Sequence, residues 1–125
     1  MLTPRQLAGR RAEDLAAQFL RARGCEILVR NYRRRLGELD LVAREGGVLL
    51  IGEVRTRAHS RFGSAAGSVD WRKRRRIVRA ALQLLQQRAD LARLPVRFDV
   101  IVVHDLDARE PRIEWIRHAF ETSPR

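Results

Sequence analysis

Apolar positions at helical spacing open the chain. Ala8, Ala12, Leu15, Ala16, Phe19 and Leu20 share one face behind Thr3 and Pro4, a helix-start pair, and Gly24 supplies the stop. From Cys25 to Tyr32 the run Ile27, Leu28, Val29 predicts a strand, and Arg33, Arg34 and Arg35 then read as an exposed connection. The β-rich stretches 38–44 and 48–55 flank Gly46-Gly47, a hairpin signal. Residues 56–67 read as a loop. A long helix follows, carrying Ile77, Val78, Ala81, Leu82, Leu84 and Leu85, and Pro95 closes the connection after it. Val96–Val103 predicts a buried strand, 112–117 a short last one, and residues 121–125 a frayed tail. The order is αβββαβ plus one strand, an α/β fold with a mixed sheet flanked by helices.

The hairpin places chemistry as well as strands. With Gly46 and Gly47 at the centre of a tight turn, cross-strand partners have numbers summing to 93, so Asp40 faces Glu53 and Glu38 faces Arg55. Opposed Cβ atoms lie about 4.5–5.5 Å apart, and alternate residues share a face, which gathers all four side chains into one patch. The rest of that face, Val42, Leu49 and Ile51, is apolar. Opposed carboxylates repel unless a proton or a cation lies between them. Mg²⁺, a hard ion held by one or two carboxylates while keeping waters for a phosphate substrate, suits such a pair, as does Mn²⁺. The competing reading is an ordinary cross-strand salt-bridge network. Glu13, on the border of the first helix's apolar stripe, is placed to lean into the same site.

Composition adds a polyanion. Lys and Arg total 26 against 15 Asp and Glu, a net charge of +11, and Lys73 is the only lysine. A surplus of this size points to nucleic acid or an anionic membrane surface. Asn31 is likewise the only asparagine, so codon pressure accounts for part of the arginine content. Single arginines therefore carry less meaning than their number suggests. At 125 residues and 45% hydrophobic content the chain is expected to form one domain with a packed core. The lone Cys25 excludes an intrachain disulfide, and no signal peptide or membrane span is read, which suits the cytoplasm. If Asp70 caps the second helix, Arg72, Lys73 and Arg74 stand in its first turn against the helix dipole, a cost of a few tenths of a kcal/mol each that a bound phosphate would relieve.

At these residues the chain resembles a known family. Gly37-Glu38-Leu39-Asp40-Leu41-Val42, Gly52-Glu53-Val54-Arg55-Thr56-Arg57, Phe62-Gly63 and Arg97-Phe98-Asp99-Val100, behind Glu13-Asp14-Leu15-Ala16-Ala17, look like the YraN family of small bacterial proteins. The resemblance runs from about Gly9 to Phe120. That family is similar to the PD-(D/E)XK nucleases, archaeal Holliday-junction resolvases in particular, and so implies the restriction-endonuclease-like αβββαβ core. It also implies metal-dependent phosphodiester hydrolysis on DNA, including branched or recombination intermediates. By resemblance Asp40 and Glu53 are the metal-binding acids, Glu13 completes the metal set, and Arg55 stands where the motif has a lysine. A symmetric homodimer is the assembly such resolvases imply.

Arginine at that position binds phosphate but does not serve as a base. Three readings remain open: an active nuclease in which Arg55 only stabilises charge, one in which Lys73 supplies the amine, or a catalytically inactive nucleic-acid-binding or assembly factor. Arg33, Arg34, Arg35, Arg72, Lys73, Arg74, Arg75 and Arg76 are the expected DNA-backbone contacts, giving affinity without sequence readout. Membrane attachment ranks last, because the second helix is basic mainly at its start. His59, His104 and His118 are too dispersed for a ligand pair and read as surface or strand-end residues. Asp99 is expected to face the opposite side and pair with an arginine, Trp71 and Trp115 to pack, and Cys25 to be inert.

Overall fold

The computed structural model describes residues 1–58 and 68–121. Thr3 caps α1 (Pro4–Ala22) reciprocally: its hydroxyl accepts from Gln6 N at 3.1 Å, and Gln6 Oε1 accepts from Thr3 N at 2.9 Å. Five strands follow the expected order: β1 (Glu26–Arg34), β2 (Gly37–Glu45), β3 (Val48–Arg57), β4 (Val96–His104) and β5 (Arg112–Phe120), with α2 (Trp71–Gln87) between β3 and β4. They form one mixed sheet in sequence order, antiparallel except for the parallel pair β3 and β4 that α2 connects. The architecture is α/β and consistent with an αβββαβ nuclease-like core.

Each helix covers one face. Ala16, Ala17 and Leu20 of α1 pack on Leu41, Ala43, Leu50 and Ile101. Ile77, Ala80, Ala81 and Leu84 of α2 pack on Val42, Leu49, Ile51, Val100 and Val102. Burying a Val, Leu or Ile contributes about 1.5–3 kcal/mol, so these two layers hold the sheet from both sides. The second helix lies unusually close to its strand: a Cβ on Gly37 would collide with the Arg76 carbonyl. Gly46 turns the β2–β3 hairpin with φ 57°, the left-handed region glycine enters without steric cost. Among the described residues, no helix is long and apolar enough to cross a membrane.

Four expectations change. The arginine run is only partly a connection: β1 continues through Arg33 and Arg34, which pair with Glu38 and Gly37, and Arg35 lies in the turn; an edge strand tolerates such charges. The last strand extends to Phe120 because its side-by-side pairing with Phe98 closes the sheet end, the two rings stacked 4.8 Å apart. Trp71 and Leu82 are not core residues; they are 60% and 56% exposed. At about 100° per residue, both point away from the buried line of Ile77, Ala80, Ala81 and Leu84. His59, Phe62-Gly63, most of the expected loop and the end of the frayed tail lie outside the described residues.

Candidate metal centre

The β2–β3 ladder runs in the expected register, from Glu45 opposite Val48 to Leu41 opposite Gly52. There it stops. Instead of continuing the pairing, the Asp40 carboxylate accepts the Val54 N–H at 2.9 Å, and the strands part where the two acids meet. Glu38, expected opposite Arg55, pairs across β1 with Arg33 at 3.6 Å. Arg55 is half-buried on β3, two residues beyond Glu53.

Glu53 is only 8% exposed. Burial, then its hydrogen bond with Asp40 and the charge of Asp40, push its carboxyl up to about 8, with Lys73 pulling the other way. Lys73 reaches it from α2, Nζ to Oε2 at 3.0 Å. Burial works against the ammonium, but Glu53, with Asp40 and Glu38 behind it, holds it above its ordinary range. Lys73 owes its position to Asp70, whose side chain accepts the Lys73 N–H at 2.9 Å and starts the helix there.

Glu13 comes from the opposite face of the sheet. Burial first, then the charge of Asp40, raises its carboxyl, while a hydrogen bond to Asn31 opposes the shift. It lines a cleft of about 420 Å³ with Leu2, Gln6, Gly9, Arg10, Asn31 and Arg33. Asn31 went unnoticed as a site residue in the sequence. Its φ of 55° is a left-handed conformation that asparagine tolerates better than most residues. It sits opposite Asp40 in the β1–β2 register, between the pairs Arg30–Leu41 and Tyr32–Leu39. The signal was available: this chain has a single asparagine and a single lysine, and both stand at this opening of the sheet.

Two carboxylates in contact form an all-oxygen donor pair, and a small hard cation needs no more than that plus water. Asp40 and Glu53 fit such an ion. Among the described residues no three acidic, histidine or cysteine side chains gather closely enough to hold one, so Glu13 stands near the pair rather than in it.

The remaining expected residues divide. Arg33, Arg34, Arg35, Arg72, Arg75 and Arg76 are exposed, Arg34 lying 4.1 Å over the Tyr32 ring. Arg74 turns inward, its Nε donating to the Val69 carbonyl at 2.6 Å and its guanidinium 5.2 Å over Phe120. Asp99 is fully buried and does pair with an arginine: Arg97 donates to both its oxygens at 2.8 Å, Trp115 Nε1 at 2.9 Å and His118 N at 2.9 Å. Trp115 packs edge-on against Phe19, as expected. His104 ends β4 but is buried, 2.8 Å from Glu114, whereas His118 is exposed beside Glu121. Burial pushes the Cys25 thiol up, away from the reactive thiolate.

The sequence matches the model of Uncharacterised protein family UPF0102 over residues 12–103. It is 46% identical over 120 residues to a UPF0102 protein of Xanthomonas euvesicatoria pv. vesicatoria, covering 96% of both chains. A UPF0102 protein of Pseudomonas aeruginosa shares 45% over 114 residues, 90% of this chain and 91% of the relative. One from Pseudomonas fluorescens shares 38% over 117 residues, 94% and 95% of the two chains. With the family model matching residues 12–103 and relatives covering 90% or more of it, the chain belongs to the UPF0102 family, the one to which its YraN-like segments pointed.

Proposed function

We propose that this protein is a metal-dependent nuclease acting on DNA, with its centre where β2 and β3 part. The observation that carries the reading is the contact of Lys73 with Glu53 at 3.0 Å beside Asp40. An amine and two touching carboxylates are the side chains phosphodiester hydrolysis needs, and here the amine comes from α2 although the strand position holds Arg55. Asp40 and Glu53 would hold a Mg²⁺ or Mn²⁺ ion, which when bound supplies charge neutralisation at phosphate and a more acidic water.

The chain's own groups do the rest. The Val54 N–H fixes Asp40 by committing one of its oxygens to the fold, and Asp40 also bonds to Glu53. Lys73 offsets the charge of Glu53 and is positioned to orient the attacking water or to bind a phosphate oxygen. Arg55, permanently charged, stabilises negative charge that develops on the phosphate. Glu13 is close enough to Asp40 to add a third negative charge on the α1 side. Arg33, Arg34, Arg35, Arg72, Arg75 and Arg76, all exposed, would hold the polymer backbone at any sequence.

One observation favours a second reading. With no three-ligand group among the described residues and Lys73 already salt-bridged into the pair, the site also suits a binding factor that does not turn over. Labelled linear and branched DNA with Mg²⁺ or Mn²⁺ separates the two. The nuclease cleaves, and Asp40→Asn lowers the rate by about 10²–10³, the usual loss of a charge-stabilising group. Binding without cleavage under either metal, identical in wild type and Asp40→Asn, establishes the inactive factor.

A further inference from the structure

The outer face of α2 carries a feature the metal centre does not use. Trp71, the helix's first residue, exposes 60% of its surface. Around it Arg72, Arg75, Arg76 and Arg79 line a shallow groove of about 250 Å³, to which no other described residue contributes. Arg75 lies over the indole, its guanidinium 5.2 Å from the ring centroid. None of these five side chains is in either core cluster. An exposed tryptophan costs solvation unless something covers it, and four cations around it select what that can be.

We propose that this face binds single-stranded DNA, with an unpaired base stacked on Trp71 and the neighbouring phosphates held by Arg72, Arg75, Arg76 and Arg79. The choice follows from the chemistry of the patch. A duplex keeps its bases stacked on one another and can offer the arginines only its phosphates, leaving the indole idle, whereas an unpaired base has a free π-face. A second copy of this chain would set the arginine group against itself across a two-fold axis, and an acidic protein partner would leave the ring without a stacking surface. Trp71 and Lys73 share the first turn of α2 on different sides of the helix. They are separated by roughly one helix diameter, ~10–12 Å. A strand stacked on Trp71 therefore presents a phosphate a short distance along its backbone to the Asp40–Glu53 opening. The inference deepens the nuclease reading by naming its substrate class: DNA unpaired beside the cleaved bond, as at a flap, a gap or a junction branch.

The test is binding in EDTA, so that it stands whether or not the protein turns over; cleavage with Mg²⁺ is read separately and reports only on the metal centre. Fluorescence anisotropy compares a labelled single strand with a duplex of the same length at one salt concentration. Trp71→Ala is expected to weaken single-strand binding about tenfold or more, the effect of one stacked base, and duplex binding less than twofold. Trp71→Phe should restore most of the loss. Arg75→Gln should weaken both ligands together. The variants keep Trp115, which donates to Asp99 at 2.9 Å, so its remaining emission reports whether each is folded. Equal losses on strand and duplex, no loss with Trp71→Ala, or a dimer seen by sedimentation that Trp71→Ala dissolves would each overturn the proposal.

Discussion

Two groups of buried acids lie in the same sheet, and they are treated in opposite ways. Asp99, completely enclosed, receives four hydrogen bonds, two of them from Arg97. Arg97 also reaches Glu45 at 2.7 Å, and Arg117 reaches the same glutamate at 2.9 Å. Those two arginines hold the Glu45 carboxyl below its usual range. Asp40 and Glu53 instead touch each other, and Lys73 reaches Glu53 from α2. Burial and the neighbouring acid push Glu53 up where arginines pull Glu45 down. The first group is finished by the fold; it fixes the β5 bulge, in which His118 takes a φ of 54° so that its N–H meets Asp99. The second sets two carboxyls against each other beside Lys73. On the proposed function, the second cluster is the one that would take up a cation.

Three measurements sharpen the contrast. Asp99→Ala should have the largest effect, a loss of about 3–5 kcal/mol in urea unfolding, because Arg97, Trp115 and the His118 N–H all lose a buried partner. A loss under 1 kcal/mol would mean the network is not what holds β5 to β4.

Glu53→Gln should act in the opposite sense. The folded-state carboxyl titrates near 8 against an ordinary value of 4.5, so between those values the folded protein holds more protons than the unfolded one. Stability without metal therefore falls as pH rises from about 5 to 8. Glu53→Gln removes this slope and raises stability at the upper end by about 1 kcal/mol or more. Parallel pH profiles for wild type and variant would show that Glu53 is not strained.

The smallest stability effect is expected from Lys73→Met, under about 1 kcal/mol for a pair with one half-exposed member, but with a steeper loss toward alkaline pH. Its activity should fall far more than its stability. A variant that cleaves like wild type would place the amine's role elsewhere, Arg55 first.

The hairpin was legible because its turn is local: Gly46-Gly47 fixes every pair from Glu45–Val48 to Leu41–Gly52. It stopped being legible one pair later, where Asp40 captures the Val54 N–H and the strands part. No rule of alternation foretells that. The Glu38–Arg55 pair also lies beyond the last pair of the ladder. The partner of Asp99 could be anticipated because an acid inside an apolar strand must have a donor, and Arg97 stood two residues away. Helix phase places Trp71 outside, against the general tendency of tryptophan to pack. Asn31 was hidden by the composition that made it rare, since a chain depleted of asparagine seemed to explain a single one.

The bare contact at Gly37 bears on spacing. Where other helices rest on their sheet through a cushion of side chains that can shift among rotamers, the Arg76 carbonyl meets β2 with nothing between. Helix and strand are thereby held at a fixed approach, and Lys73 and Asp40 ride on those two parts. The spacing of the amine and the carboxylates is thus held by a backbone contact and not by side chains that could repack.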